Sequence, residues 1–215
     1  MADKRVTLLD YGMANLLNVA RAFEQCGAEV HVTESATEAL SASRLVVPGV
    51  GSFQHAIDEM ASRGLDDAVR RFAESGRPLF GICVGMQMLF DVSEEFGEHR
   101  GLGILPGKVV GVPNLTTAGQ PQRVPHIGWS HLLPANGREW ENTLLAPFRD
   151  RHPAVYFVHS FAAQPARESD RLADCEYGGH RLCAAVQRDN VVATQFHPER
   201  SGEAGLALLQ GFLEW

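Results

Sequence analysis

The sequence predicts an α/β fold: a central, mostly parallel sheet with flanking helices and additional antiparallel strands. Two patterns carry that expectation. In the first half, short β-branched apolar runs alternate with stretches of helical spacing, which implies right-handed crossovers and a sheet covered on both faces. In the second half, short strands follow one another with hairpin signals between them. The 215 residues suffice for one sizeable core. With no linker, low-complexity tract or repeat, residues 1–215 are expected to form a single domain.

The elements follow in order. Short apolar β-branched runs at 6–9, 29–32, 45–47 and 79–82 read as strands. Over 14–26, Leu16, Val19, Ala20 and Phe23 share one helical face, and Gly27 follows as a stop. Residues 64–75 read as a second helix, with Gly76 after it and Pro78 just before the next strand. Gly81 to Gly85 carries a strand into a turn, and a helical pattern spans 84–90. Residues 101–112 are rich in glycine and short apolar runs. Strands are expected at 124–133, 154–161, 172–177, 182–187 and 191–195. Gly178-Gly179 and Asp189-Asn190 are hairpin turns, 119–125 and 134–137 surface loops, and 202–213 a closing helix.

Composition excludes several classes. Apolar residues make up 45% and charged residues 21%, as in an ordinary globule, and the net charge of −7 opposes nucleic-acid binding. The mixed-sign cluster Arg149-Asp150-Arg151 reads as solvated surface. The apolar stretch at 6–9 is far too short for a signal or a membrane span. A cytoplasmic protein without membrane attachment is therefore expected, with Cys26, Cys83, Cys175 and Cys183 reduced. No cofactor is expected. Cys175, His180 and Cys183 offer three loosely spaced ligands, too few for a zinc site.

Cys83 is the expected nucleophile. It stands in the spacing Gly-x-nucleophile-x-Gly at a strand-to-helix turn, where tight geometry demands small flanking residues. Such a turn lifts the side chain above the carboxyl edge of the sheet, where open α/β folds bind ligands. A helix N-terminus behind it favours the thiolate, and the Val84 N–H is placed to meet an oxyanion. A buried, inert thiol is the alternative for this residue alone. His197, at the end of the strand over 191–195, has Glu199 two residues on. It fits a base whose tautomer is held by a carboxylate, with Pro198 stiffening the link. The order nucleophile, base, acid differs from that of α/β-hydrolases, which disfavours an esterase. His159 is the main rival among the other histidines. Val50, between Gly49 and Gly51 after the third strand, stands in a loop that could supply a second oxyanion donor. It is not a P-loop, because no Gly-Lys-Ser/Thr follows.

These residues resemble the class I glutamine amidotransferases over essentially the whole chain, most closely the glutaminase subunits of imidazole glycerol phosphate synthase. The marks are Asp10-Tyr11-Gly12 with Asn15-Leu16, Pro48-Gly49-Val50-Gly51 and Gly81-Ile82-Cys83-Val84-Gly85-Met86-Gln87. Pro125-His126-Ile127-Gly128-Trp129, Tyr156-Phe157-Val158-His159-Ser160 and Gln195-Phe196-His197-Pro198-Glu199 follow. The resemblance implies a triad of Cys83, His197 and Glu199. It also implies oxyanion or substrate contacts at Val50, Gly51, Val84, Gln87, His159, Ser160 and Phe161. It implies glutamine hydrolysis through a cysteine thioester, with ammonia passed to a (β/α)-barrel cyclase subunit in a heterodimer. That partner makes imidazole glycerol phosphate and AICAR in histidine biosynthesis. Ala14, Leu17, Ser130 and Arg200 depart from the family's usual glycine, basic residue, asparagine and lysine. Ala14, Leu17 and Arg200 fall where the family faces its partner. Alternatives are a related glutaminase serving a surface-polysaccharide sugar, a non-catalytic assembly subunit, and a cysteine peptidase of related fold.

Overall fold

A computed structural model describes residues 3–149 and 151–215. Asp150 of the mixed-sign cluster lies outside the described residues. The first half alternates as β1 (Arg5–Leu9), α1 (Leu16–Gln25), β2 (Glu29–Thr33), α2 (Ala36–Ser41), β3 (Leu45–Gly49), α3 (Phe53–Ser62), α4 (Leu65–Glu74), β4 (Leu79–Cys83) and α5 (Val84–Met88). The second half runs β5 (Phe90–Ser93), β6 (His99–Arg100), β7 (Leu105–Gly111), β8 (His126–His131), β9 (Leu133–Pro134), β10 (Ala154–His159), β11 (Phe161–Pro165), β12 (Arg171–Tyr177), β13 (His180–Arg188), β14 (Val191–Thr194) and α6 (Gly202–Glu214).

The main sheet has eight strands in the order β2-β1-β3-β4-β14-β13-β12-β9. From β2 to β14 every neighbouring pair is parallel, and β13, β12 and β9 continue antiparallel. Strands β3, β4 and β14 occupy the middle, and all their residues are buried, as continuous apolar runs require in a doubly covered sheet. Helix α6 packs Phe212 against Phe23 of α1 and Phe80 of β4, tying the last helix to both the first helix and the sheet. A four-stranded sheet (β11-β7-β5-β6) and a two-stranded one (β10-β8) complete the fold.

Three expectations change. The helix after Cys83 stops at Met88 rather than reaching residue 90, because Phe90 opens β5 and pairs with Leu105 of β7. The strand expected over 154–161 divides at Ser160: β10 pairs with β8, whereas β11 joins β7 in another sheet. The run expected over 124–133 likewise resolves into β8 and the short β9, which pairs with β12 instead of β10. Each change is set by a partner strand distant in sequence, which local periodicity does not register.

Candidate active site

The register of the middle strands builds the site. Gly49 lies opposite Cys83 across the β3–β4 pair, and Thr194 lies opposite Ile82 across β14–β4. The Pro48–Gly51 loop, the Cys83 turn and the segment running on to His197 therefore leave the same carboxyl edge side by side. This is the edge at which open α/β sheets hold their ligands.

Cys83 has φ 56° and ψ −112°, a strained conformation for a residue with a Cβ. Its flanking glycines are sterically required. A Cβ on Gly85 would stand 1.8 Å from the Val47 carbonyl oxygen, and one on Gly81 would meet Gly85, Met86 and Leu89 atoms at 3.0 Å. Glycine at position 83 relieves that strain and alanine does not. Cys83→Gly is therefore expected to melt about 2–4 °C above Cys83→Ala, for roughly 1 kcal/mol of relieved strain. Calorimetry of the two variants checks this, and equal melting temperatures would remove the strain argument.

His197 Nδ1 lies 2.9 Å from Glu199 Oε1, with both side chains almost fully buried. Burial by itself lowers the imidazole's proton affinity. Hydrogen bonds to Cys83 and Glu199, and the charges of both, overcome that and push it up to about 10. The ring is thus held as a cation between the Cys83 sulfur and the Glu199 carboxylate. The other thiols have no such partner: burial pushes Cys175 and Cys183 well above the ordinary thiol range, and Cys26 upward too. Among the described residues no group of three or more His, Cys, Asp and Glu has metal-binding geometry.

A cavity of about 260 Å³ opens at this edge, lined by Val50, Gly51, Cys83, Val84, Gln87, His159, Ser160, Phe161 and His197. Glu199 stands behind His197. Every site residue expected from sequence is thus brought to one place, although several differ in what they offer. Gln87 donates its amide hydrogens to the Phe161 carbonyl and to Gln195 Oε1, each at 2.9 Å, so only its own carbonyl oxygen is left for the cavity. Val84 is the first residue of α5, and its N–H has no intrahelical acceptor. With five residues that helix is short, and the His197 ring and the Gln195 amide are side chains that hydrogen-bond to the sulfur.

Two contacts fix the loop after β3. The Val50 N–H donates to the Met13 carbonyl at 2.9 Å and so faces away from the cavity. Gly49 is required for space rather than freedom, because a Cβ there would lie 2.5 Å from the Tyr11 hydroxyl and 2.7 Å from the Gly85 nitrogen. Gly51, at φ 89°, is the residue that needs glycine's conformational range. The buried Tyr11 hydroxyl donates to the Pro48 carbonyl at 2.7 Å, and burial keeps the phenol protonated.

His159 lines the cavity but is fully engaged. Its Nδ1 donates to the Phe161 carbonyl at 2.9 Å, so its Nε2 accepts from His126 Nδ1 at 3.0 Å. His126 Nε2 in turn faces Ser130 Oγ at 3.0 Å. Burial lowers both histidines to about 4, so this chain of rings is neutral. Sequence reasoning missed Glu95, a buried carboxylate in the cavity wall that accepts from the Phe53 N–H at 2.6 Å. Its neighbours Glu94 and Glu98 give no signal that singles it out.

Fold and site together define a class: the α/β proteins that present a thiol beside a histidine–carboxylate pair at the carboxyl edge of a parallel sheet. Residues 7–214 match the family described as Glutamine amidotransferase class-I. Imidazole glycerol phosphate synthase subunit HisH of Legionella pneumophila is 43% identical over 210 residues, covering 97% of this chain and 98% of that protein. The HisH subunit of Salinibacter ruber is 44% identical over 208 residues, covering 96% and 92%. Among solved structures, a glutamine amidotransferase superposes with a TM-score of 0.72 at 22% identity, covering 97% of both chains. PurLQS from Thermotoga maritima gives 0.71 at 18% identity, covering 100% and 99%. The chain belongs to the class-I glutamine amidotransferases and, within them, to the HisH subunits of imidazole glycerol phosphate synthase.

Proposed function

We propose that this chain, acting as a single domain, hydrolyses glutamine to glutamate and ammonia at Cys83 and supplies the ammonia to a cyclase subunit in histidine biosynthesis. The observation that carries the chemistry is the His197–Glu199 pair beside a strained Cys83 at the mouth of a small cavity. The Cys83 thiolate attacks the side-chain carboxamide, and the Val84 N–H faces the developing oxyanion. The His197 imidazolium gives its proton to the departing nitrogen, releasing ammonia and leaving a γ-glutamyl thioester. His197 then takes a proton from water, the resulting hydroxide cleaves the thioester, and glutamate leaves. Glu199 keeps the ring oriented throughout. The Gln87 carbonyl oxygen and the Glu95 carboxylate are suited to the positive α-amino end of the substrate, as His159, Ser160 and Phe161 are to its remaining contacts.

The partner is a (β/α)-barrel cyclase held in a heterodimer, working in the cytoplasm. Exposed apolar side chains support a docking face: Leu17 is 59% exposed, and Ile127 and Trp129 on β8 are each 58% exposed. Near them, the Arg200 guanidinium lies 4.4 Å from the ring centre of Tyr156, which makes an edge contact with Trp129. No helix among the described residues is long and apolar enough to cross a membrane.

The Val50–Met13 hydrogen bond supports coupling between partner and chemistry. In this state one of the two oxyanion donors is turned away, and losing such a donor costs about 10²–10³ in rate. Glutamine turnover is therefore expected to rise by about that factor when the cyclase and its acceptor substrate bind and favour the reoriented peptide. Turnover measured with and without the cyclase checks this. If the isolated chain already runs at the full rate of the complex, the coupling is absent and the triad remains.

A further inference from the structure

The buried amide of Gln195 faces the nucleophile, and nothing in the hydrolysis described above uses it. Gln195 is completely buried, and its Nε2 lies 3.7 Å from Cys83 Sγ. It leaves the end of β14 two residues before His197, so the two side chains reach the same region from one extended segment.

The orientation of this amide follows from its neighbours. Oxygen and nitrogen of a glutamine amide are told apart by their partners. Gln87 has 2.9 Å contacts to the Phe161 carbonyl and to Gln195. A backbone carbonyl only accepts, so the atom of Gln87 that faces it is the nitrogen. That nitrogen donates its second hydrogen to Gln195, which must therefore present its oxygen. The other end of the Gln195 amide, its NH₂, is left pointing at sulfur. A flipped Gln195 would set two NH₂ groups against each other and an oxygen against the thiolate. The Phe161 carbonyl that anchors the arrangement is itself held by His159 Nδ1 at 2.9 Å.

We infer that Gln195 is a further catalytic residue, a fixed donor that holds the Cys83 sulfur as the thiolate, with Gln87 setting its orientation. The inference rests on Cys83 being the nucleophile. Gln195 keeps its protons throughout. In the attack, the sulfur electron pair forms the bond to the carboxamide carbon and the hydrogen bond from Nε2 weakens. When water releases glutamate the pair returns to sulfur and the bond is restored. A donor in this place favours the reactive form before substrate arrives, as charge-assisted hydrogen bonds do in buried sites.

The test is the rate at which iodoacetamide alkylates Cys83 in the full chain, followed by mass spectrometry of the peptide that carries it. In Gln195→Leu the rate near neutral pH is expected to fall about tenfold and to converge on the wild-type rate at alkaline pH, where the thiol ionises unaided. Gln195→Glu, which sets a carboxylate against the sulfur, should fall further in the same sense. A purely structural role would slow alkylation equally at every pH, and that result overturns the inference. So does a Gln195→Leu chain that reacts at the wild-type rate near neutral pH. Should Gln195→Glu not fold, the leucine variant alone decides. Glutamine hydrolysis that survives in Cys83→Ala sinks the assignment of Cys83 as nucleophile, on which this inference rests, whereas a wild-type chain that hydrolyses no glutamine with or without the cyclase sinks the glutaminase reading itself. Cys83-dependent hydrolysis with unchanged alkylation of Gln195→Leu sinks only the role of Gln195.

Discussion

Cys83→Ala is expected to reduce glutamine hydrolysis by at least roughly 10⁴-fold, the scale seen when a nucleophile is removed from a triad. The structure leaves no substitute. Cys175 and Cys183 are buried with thiols pushed far from ionisation, and Cys26, whose thiol is also raised, lies against the Leu206 carbonyl rather than the cavity. The loss should fall on kcat, because the Gln87, Ser160 and Phe161 contacts that line the cavity remain. In the complex with the cyclase, synthesis from added ammonia should persist at the wild-type rate, since the acceptor chemistry belongs to the other subunit. Parallel assays with glutamine and with ammonium salt check both halves. Hydrolysis near the wild-type rate would remove Cys83 from the mechanism. Loss of the ammonia-dependent reaction as well would mean that the substitution had damaged the assembly.

What sequence made legible here was steric and local. The Gly81–Cys83–Gly85 spacing could be read because a strand-to-helix turn has room for nothing larger, and the Gly85 contact with the Val47 carbonyl bears that out. The middle of the sheet was equally legible, because β3, β4 and β14 are buried on both faces and form continuous apolar runs. The end of α5 and the break at Ser160 were not, since each depends on pairing with β7, which local patterns do not encode. Nothing in the residue type of Gly49 announces the close contact with Tyr11 and Gly85 that excludes any side chain there. The same limit hid the amide chain. Gln195 could be recognised as part of the segment carrying His197, but its partner Gln87 lies 108 residues away. Its donor role follows only from the position of the Phe161 carbonyl. Residue types single out Cys83, His197 and Glu199, and the orientation of the groups around them comes from tertiary contacts.

His197→Asn should abolish thioester formation, by about 10⁴-fold or more, whereas His159→Asn should slow it far less. Both histidines line the cavity, so proximity does not separate them. Their hydrogen bonds do. His197 has a carboxylate on Nδ1 at 2.9 Å, which fixes the tautomer and leaves Nε2 to exchange protons with sulfur, ammonia and water. His159 has both nitrogens committed, one to the Phe161 carbonyl and the other to His126. Burial holds its proton affinity down at about 4, so it remains neutral where His197 is cationic. A neutral ring with no free nitrogen cannot protonate a leaving amine. His159→Asn loosens the Phe161 carbonyl that Gln87 also uses, and its effect should therefore appear as weaker glutamine binding. Single-turnover assays of thioester formation, with glutamine affinity measured alongside, separate the two roles. A His159 variant that cannot form the thioester, beside a His197 variant that can, would exchange the assignments. The carboxylate makes the same distinction: Glu199→Gln leaves the space filled but removes the charge that stabilises the imidazolium, and it should lower the rate in the His197-dependent step without weakening glutamine binding.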